Sequence, residues 1–281
     1  MTVAGFCGKI YMVHAGNRRL KSRVMASGGT TACVEGEQEM QFLMSTVLCI
    51  VFPNAFNRLA GKEKRLPGKP LAHCFLLGVL AAVLIIIFSV VNSGWDRDIL
   101  TGGLGLSEED ILFALINAFI LTALMEEAFK YIGLRKYLKK HDCVRCPHQA
   151  VVASIAVGAG FTATENIVYM SGDVGLLVRI IFGIFGHFVY AVYMGTNIAK
   201  AMQASDPSRK RRFWRRALII PWLLHGIYDF SIALLQKDFE NPFLYLLIVM
   251  ALFVVYIVFY VAGAFKRVRA ASREDVQIAA R

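Results

Sequence analysis

Residues 111–134 read ILFALINAFILTALMEEAFKYIGL. A run of this length and apolarity matches the roughly 20 residues that a helix needs to cross a bilayer core. Yet it carries Glu126, Glu127 and Lys130. A charged side chain costs from about 2.5 kcal/mol upward at the bilayer centre, so charges retained there mark a protein interior with a task. This stretch therefore predicts both an all-α, polytopic transmembrane bundle and a polar site inside it.

The rest of the chain repeats the pattern. It has 281 residues, of which 57% are hydrophobic. Apolar runs place spans at about 41–57, 71–93, 111–134, 149–170, 175–199, 214–236 and 243–265, seven in all. Residues 41–265 form the membrane core on this reading, residues 1–40 an N-terminal extension and residues 266–281 a basic tail. The extension holds no apolar run of signal-peptide length, and its Met25 and Met40 leave room for a later start.

Charge sets the orientation. Lys and Arg number five in loop 58–70, five in 135–147, seven in 200–216 and five in the tail, while the alternate loops hold Arg97, none and Lys237. Basic loops face the cytoplasm, which puts the C-terminus inside and the acidic loop of Asp96, Asp98, Glu108, Glu109 and Asp110 outside. The net charge of +11 then needs no nucleic acid. The run RKRRFWRR at 209–216 is expected to meet anionic lipid headgroups.

Four further features bear on chemistry. Glu126 and Lys130 are four apart on one helical face, with Glu127 three before the same lysine, so one carboxylate can be neutralised while its neighbour stays available as a base. In GAGFTATENIVYM at 158–170, Gly158 and Gly160 allow a close helix approach that brings Glu165 and Asn166 to a partner. In GIFGHFVYAVYMG at 183–195, His187, Ala191 and Gly195 form a stripe on which another helix can pack. In IIPWLLHGIYDF at 219–230, His225 and Asp229 share a face, and Pro221 one turn earlier can kink the helix. A fifth feature, HDCVRCPH at 141–148, has a CxxC, but it reads as reduced thiols in a basic loop because four closing zinc ligands are not evident.

Two histidines and a glutamate can supply three ligands to a divalent metal, zinc above all, leaving a fourth position for water. The soluble HExxH signature is absent. The same residues can also act without metal, one glutamate activating water directly. From other classes, a proton- or ion-coupled transporter uses the same buried groups, and so does a catalytically silent membrane binder.

The four blocks EEAFK at 126–130, FTATEN at 161–166, HFVYAVYMG at 187–195 and HGIYDF at 225–230, in this order on separate spans, resemble the PrsW family of intramembrane proteases. That family is grouped with type II CAAX prenyl endopeptidases and abortive-infection proteins. In the prenyl endopeptidases, histidine stands where this chain has Glu165. The resemblance covers roughly 41–265. It implies Glu127 as base with Glu126 held by Lys130, Glu165, His187 and His225 on a metal or on the attacking water, Asp229 behind His225, and Asn166 steadying the oxyanion. It further implies site-one cleavage of a membrane-anchored substrate such as an anti-sigma factor, in a bacterial plasma membrane. One conflict stands against it. Glu126 falls about 15 residues from the outer end of its span and Glu165 about 5 from the outer end of its own, or roughly 23 Å against 8 Å in depth.

Overall fold

The structure, a computed structural model, describes residues 31–91, 98–107, 110–169, 176–234 and 260–274, with 243, 247, 254 and 278. Among the described residues it is all helical. The main elements are α1 (Thr31–Asn57), α2 (Gly68–Val91), α3 (Ile111–Lys140), α4 (Pro147–Tyr169), α5 (Leu176–Gln203), α6 (Pro207–Leu234) and α7 (Ala262–Arg273). Helices α2, α3, α4 and α6 are long and apolar enough to cross a membrane, and the apolar part of α1, Leu43–Asn57, is shorter. The expected span 243–265 and the extension up to residue 30 lie mostly or wholly outside the described residues. Helix α1 starts at Thr31, ten residues before the expected span.

Helix α4 is the axis of the bundle. Its apolar window is 78% buried, against 28–39% for the other three long spans, and it packs on α2 and α5. Glycine makes both contacts possible. A Cβ on Gly160 would fall on the Phe75 carbonyl oxygen of α2, and one on Gly195 would press into the α4 backbone at Val151. The small residues expected to let a neighbouring helix approach do so: Gly158 lies against Ala191 of α5, and Gly160 faces α2.

Helix ends follow local chemistry. Asp206 accepts hydrogen bonds from the Arg209 amide at 2.7 Å and the Ser208 hydroxyl at 2.6 Å, while Pro207 opens α6 where its missing N–H costs nothing. Those two bonds hold the Asp206 carboxyl below its usual range. Pro147 starts α4 in the same way. Beside it, Gln149 accepts from the Arg145 amide and donates to the Arg65 carbonyl. Helix α7 carries the first part of the basic tail. Ala264, Val268 and Ala271 of α7 are buried, and Arg267 lies over the Tyr193 ring at 4.2 Å.

Helix α3 departs from the plain span expected. Residues Asn117–Leu124 form a π-helical stretch immediately before Glu126, a widening that occurs preferentially at functional sites. The Trp222 indole of α6 donates to the Phe119 carbonyl in this stretch at 2.6 Å. Gly226 leaves the space that the Phe119 ring fills.

Candidate active site

The depth conflict disappears when both helices are measured from the 141–146 connection that joins them. Glu126 is 14 residues from Lys140, and Glu165 is 18 from Pro147. At about 1.5 Å per residue these are roughly 21 Å and 27 Å, close enough for long side chains to meet. Helix α3 simply extends further on the far side.

Glu126, Glu127, Lys130, His187, His225 and Asp229 are all buried, and Glu165 is largely so. Glu127 Oε1 accepts from Lys130 Nζ at 2.5 Å and pairs with His225 Nδ1 at 3.0 Å. Glu126 Oε2 is more loosely engaged, 3.8 Å from Lys130 Nζ and 3.9 Å from His225 Nε2, and makes no hydrogen bond. Lys130 is within ion-pair distance of Glu126, as expected of the i to i+4 pair, and also binds Glu127, which His225 draws to the same point. His187 pairs through Nε2 with Glu165 at 2.8 Å and through Nδ1 with Lys130 at 3.2 Å. Asp229 Oδ2 is 3.3 Å from His225 Nε2.

These partners assign the imidazole protons. An ammonium only donates, so His187 Nδ1 accepts from Lys130 and Nε2–H faces Glu165. His225 directs Nδ1–H to Glu127, which leaves Nε2 facing Glu126 and Asp229. Each histidine is thus steadied by one carboxylate; the other nitrogen of His225 faces Glu126 and Asp229, whereas that of His187 accepts from Lys130, a bond that a cation on His187 would displace.

One ligand atom each from Glu126, His187 and His225 lies within 4.8 Å of the others. A buried carboxylate oxygen lacking a hydrogen bond, two oriented imidazoles and four carboxyl groups around a single lysine fit a divalent cation, whose charge offsets the excess of acid. Of the three expected ligands, His187 and His225 belong to this group, whereas Glu165 sits behind His187. Asn166 donates to Ser45 Oγ at 2.5 Å and ties α4 to α1.

Two aromatic residues of the site carried no assignment from sequence. The Tyr190 ring stacks on His225 with centroids 4.6 Å apart and planes at 16°. The Phe161 ring lies 4.0 Å from Lys130 Nζ and 5.2 Å from His187. The i to i+3 spacing from His187 to Tyr190 is the signal that could have found the first.

The CxxC loop stands apart from this cluster. Cys146 Sγ donates to the Lys64 carbonyl at 3.6 Å, and His148 is buried with Nε2 3.3 Å from the Asn57 carbonyl. Burial pushes both the Cys143 and the Cys146 thiol up.

A family model described as PrsW family intramembrane metalloprotease matches residues 67–260, which take in α2 to α6 and the whole polar cluster. The chain is 30% identical to protease PrsW of Oceanobacillus iheyensis over 146 residues, 49% of this chain and 65% of that protein. It is 33% identical to protease PrsW of Geobacillus kaustophilus over 125 residues, 43% and 53% of the two chains. Against protease PrsW of Bacillus subtilis the figures are 26% over 174 residues, 61% and 73%. The first two matches span less than two thirds of the relatives' own length. No solved structure matches. A transporter built on the same buried groups gains no support from these relatives. With four motif-bearing helices inside the matched stretch and their polar side chains gathered at one point, the chain belongs to the PrsW family of intramembrane metalloproteases.

Proposed function

We propose that the protein is a metal-dependent endopeptidase that hydrolyses a peptide bond of a membrane-anchored protein within the bilayer. The observation that carries this is the convergence of Glu126, His187 and His225, from three different helices, on one buried point. These three residues would hold the divalent cation, zinc being the one that a His2Glu donor set suits best. When bound, the cation supplies Lewis acidity toward a carbonyl oxygen and makes a water more acidic.

The protein's own groups do the rest. Glu165 and Glu127 fix the tautomers of His187 and His225, as carboxylates behind ligand histidines do. Lys130 anchors Glu127 and keeps it from turning inward. Asp229 Oδ2 makes no hydrogen bond, and with Glu126 on the cation it is the carboxylate left to take a proton from the attacking water. Glu127, doubly tied, positions rather than abstracts. Asn166 holds α1 against the site. Phe161 and Tyr190 cover it with apolar surface, which keeps bulk water out and strengthens every charge interaction inside.

The depth of the cluster selects the substrate class. A scissile bond must enter the helical layer, which a single-span protein can present. The motif resemblance narrows this further to a membrane-anchored anti-sigma factor, cut first in a stress response. The alternation of basic loops supports seven spans with the C-terminus in the cytoplasm, and the bacilli among the relatives support a bacterial plasma membrane. The test is cleavage of a purified single-span substrate by the full chain in detergent, with products located by mass. A cut inside the apolar segment that is lost on chelation and restored by zinc is the expected result. A chelation-resistant rate equal to the untreated one would overturn the metal-dependent reading.

A further inference from the structure

The basic run at 209–216 is not one surface. Arg212 and Arg216 lie over the Phe213 ring at 5.5 and 6.0 Å, with Lys200 of α5 over the same ring at 5.9 Å. Lys210, Arg211 and Arg215 point the other way, toward α3, where they meet Arg135 and Lys139. The helical period explains the split, since 211 and 215 are four apart on one face and 212 and 216 four apart on the next.

Between α3 and α6 these five cations surround an open cavity of about 640 Å³. That volume is of the size that holds a small ligand. No carboxylate lines it, and none of the five cations forms an ion pair among the described residues. The nearby acid Asp206 is committed to the start of α6. The wall is aromatic. The Arg135 guanidinium lies over Trp214 at 5.0 Å and over Tyr131 at 5.7 Å, and Arg135 Nε is buried without a hydrogen-bond partner. Five like charges held together without an acid repel one another unless an anion joins them.

We propose that this cavity is a specific site for the phosphodiester headgroup of an anionic phospholipid. The observations favour a lipid over a free anion because the site lies at the basic ends of two helices long and apolar enough to cross a membrane, with Trp214 in its wall, a residue type enriched at the headgroup level. A planar guanidinium stacked on aromatic rings presents its donors in the fork that phosphate oxygens accept. Occupancy would also matter to the polar cluster, because α3 carries Glu126, Glu127 and Lys130 and α6 carries His225 and Asp229. A headgroup bridging Arg135 and Lys139 to Arg211 and Arg215 staples these two helices at one end. The site goes beyond the peptidase reading, and its test does not depend on catalysis.

The test is native mass spectrometry of the full chain in detergent, titrated with phosphatidylglycerol or phosphatidylcholine. Phosphatidylglycerol should be retained at least 10-fold better. The pair Arg135→Gln and Arg211→Gln should weaken its binding about 30-fold, at about 1 kcal/mol per charge. The charge-preserving pair Arg135→Lys and Arg211→Lys should bind between the parent and the glutamine pair, since it keeps the charge but loses the guanidinium fork, and Lys266→Gln with Arg269→Gln on α7 should bind as the parent does. Should the glutamine pair fail to fold, the exposed Lys139→Gln alone must cost several-fold. Equal retention of the two lipids, equal loss in the α7 pair, or no loss in the cavity variants would overturn the proposal. Displacement of the lipid by millimolar inorganic phosphate would overturn it too, as a free-anion site.

Discussion

At the scale of single residues, the two adjacent glutamates differ in what they touch. Glu127 is bound by both Lys130 and His225, whereas Glu126 Oε2 has no hydrogen bond. Substituting Glu165 by Gln should leave the fold intact and weaken metal affinity 10–100-fold, read by competition with a chromogenic chelator, because the carboxylate behind His187 is lost. His225→Ala should abolish both metal retention and cleavage. The identity of these residues was legible in the sequence, since charges in apolar helices have few bland explanations. Their pairing was not. Spacings of three and four both reach Lys130, and the choice between Glu126 and Glu127 is made by His225, a residue 98 positions away from Glu127. Asn166 shows the same limit: its partner Ser45 lies 121 positions away, and nothing local announces the bond.

At the scale of elements, two contacts place the site. Helix α2 touches α4 where a Cβ on Gly160 would strike the Phe75 carbonyl. Gly160→Ala should therefore push the helices apart and cost about 1–3 kcal/mol of stability, read as a lower thermal midpoint in detergent. Gly102→Ala, where nothing lies within reach of the added carbon, should not. The second contact is the Trp222 indole on the Phe119 carbonyl. Trp222→Phe leaves that carbonyl of the π-helical stretch without its donor and should cost about 1–3 kcal/mol, with hydrogen exchange rising first around 117–124. Glycine spacing in the sequence foretold the tight packing, because small residues at helical intervals have one evident use. The π-helical stretch had no such signal. It lies where α3 meets α6, at the Trp222 and Gly226 contacts with Phe119.

At the scale of the whole molecule, apolar runs and alternating basic loops were enough to read a helical membrane protein, and the described helices bear that out. The depth mismatch between Glu126 and Glu165 arose from measuring each span from its outer end. Their shared connection at 141–146 is the proper origin, and from it the two residues fall at similar heights. Helix α7 runs into the basic tail, where Ala264, Val268 and Ala271 are spaced to bury one face. The topology prediction is that single cysteines placed at Lys139 and Lys266 in a cysteine-free background are labelled only from the cytoplasmic side of intact cells.

The central claim is that Glu126, His187 and His225 form the reacting centre and that Glu127 serves it from behind. Cleavage of a single-span substrate in proteoliposomes by Glu126→Gln and Glu127→Gln, side by side with metal content, tests this most directly. Glu126→Gln should lose bound metal and at least a thousandfold in rate, while Glu127→Gln keeps metal in part and loses about 10–100-fold. A Glu126→Gln protein that cleaves normally, or a Glu127→Gln protein that is the more damaged of the two, would contradict it.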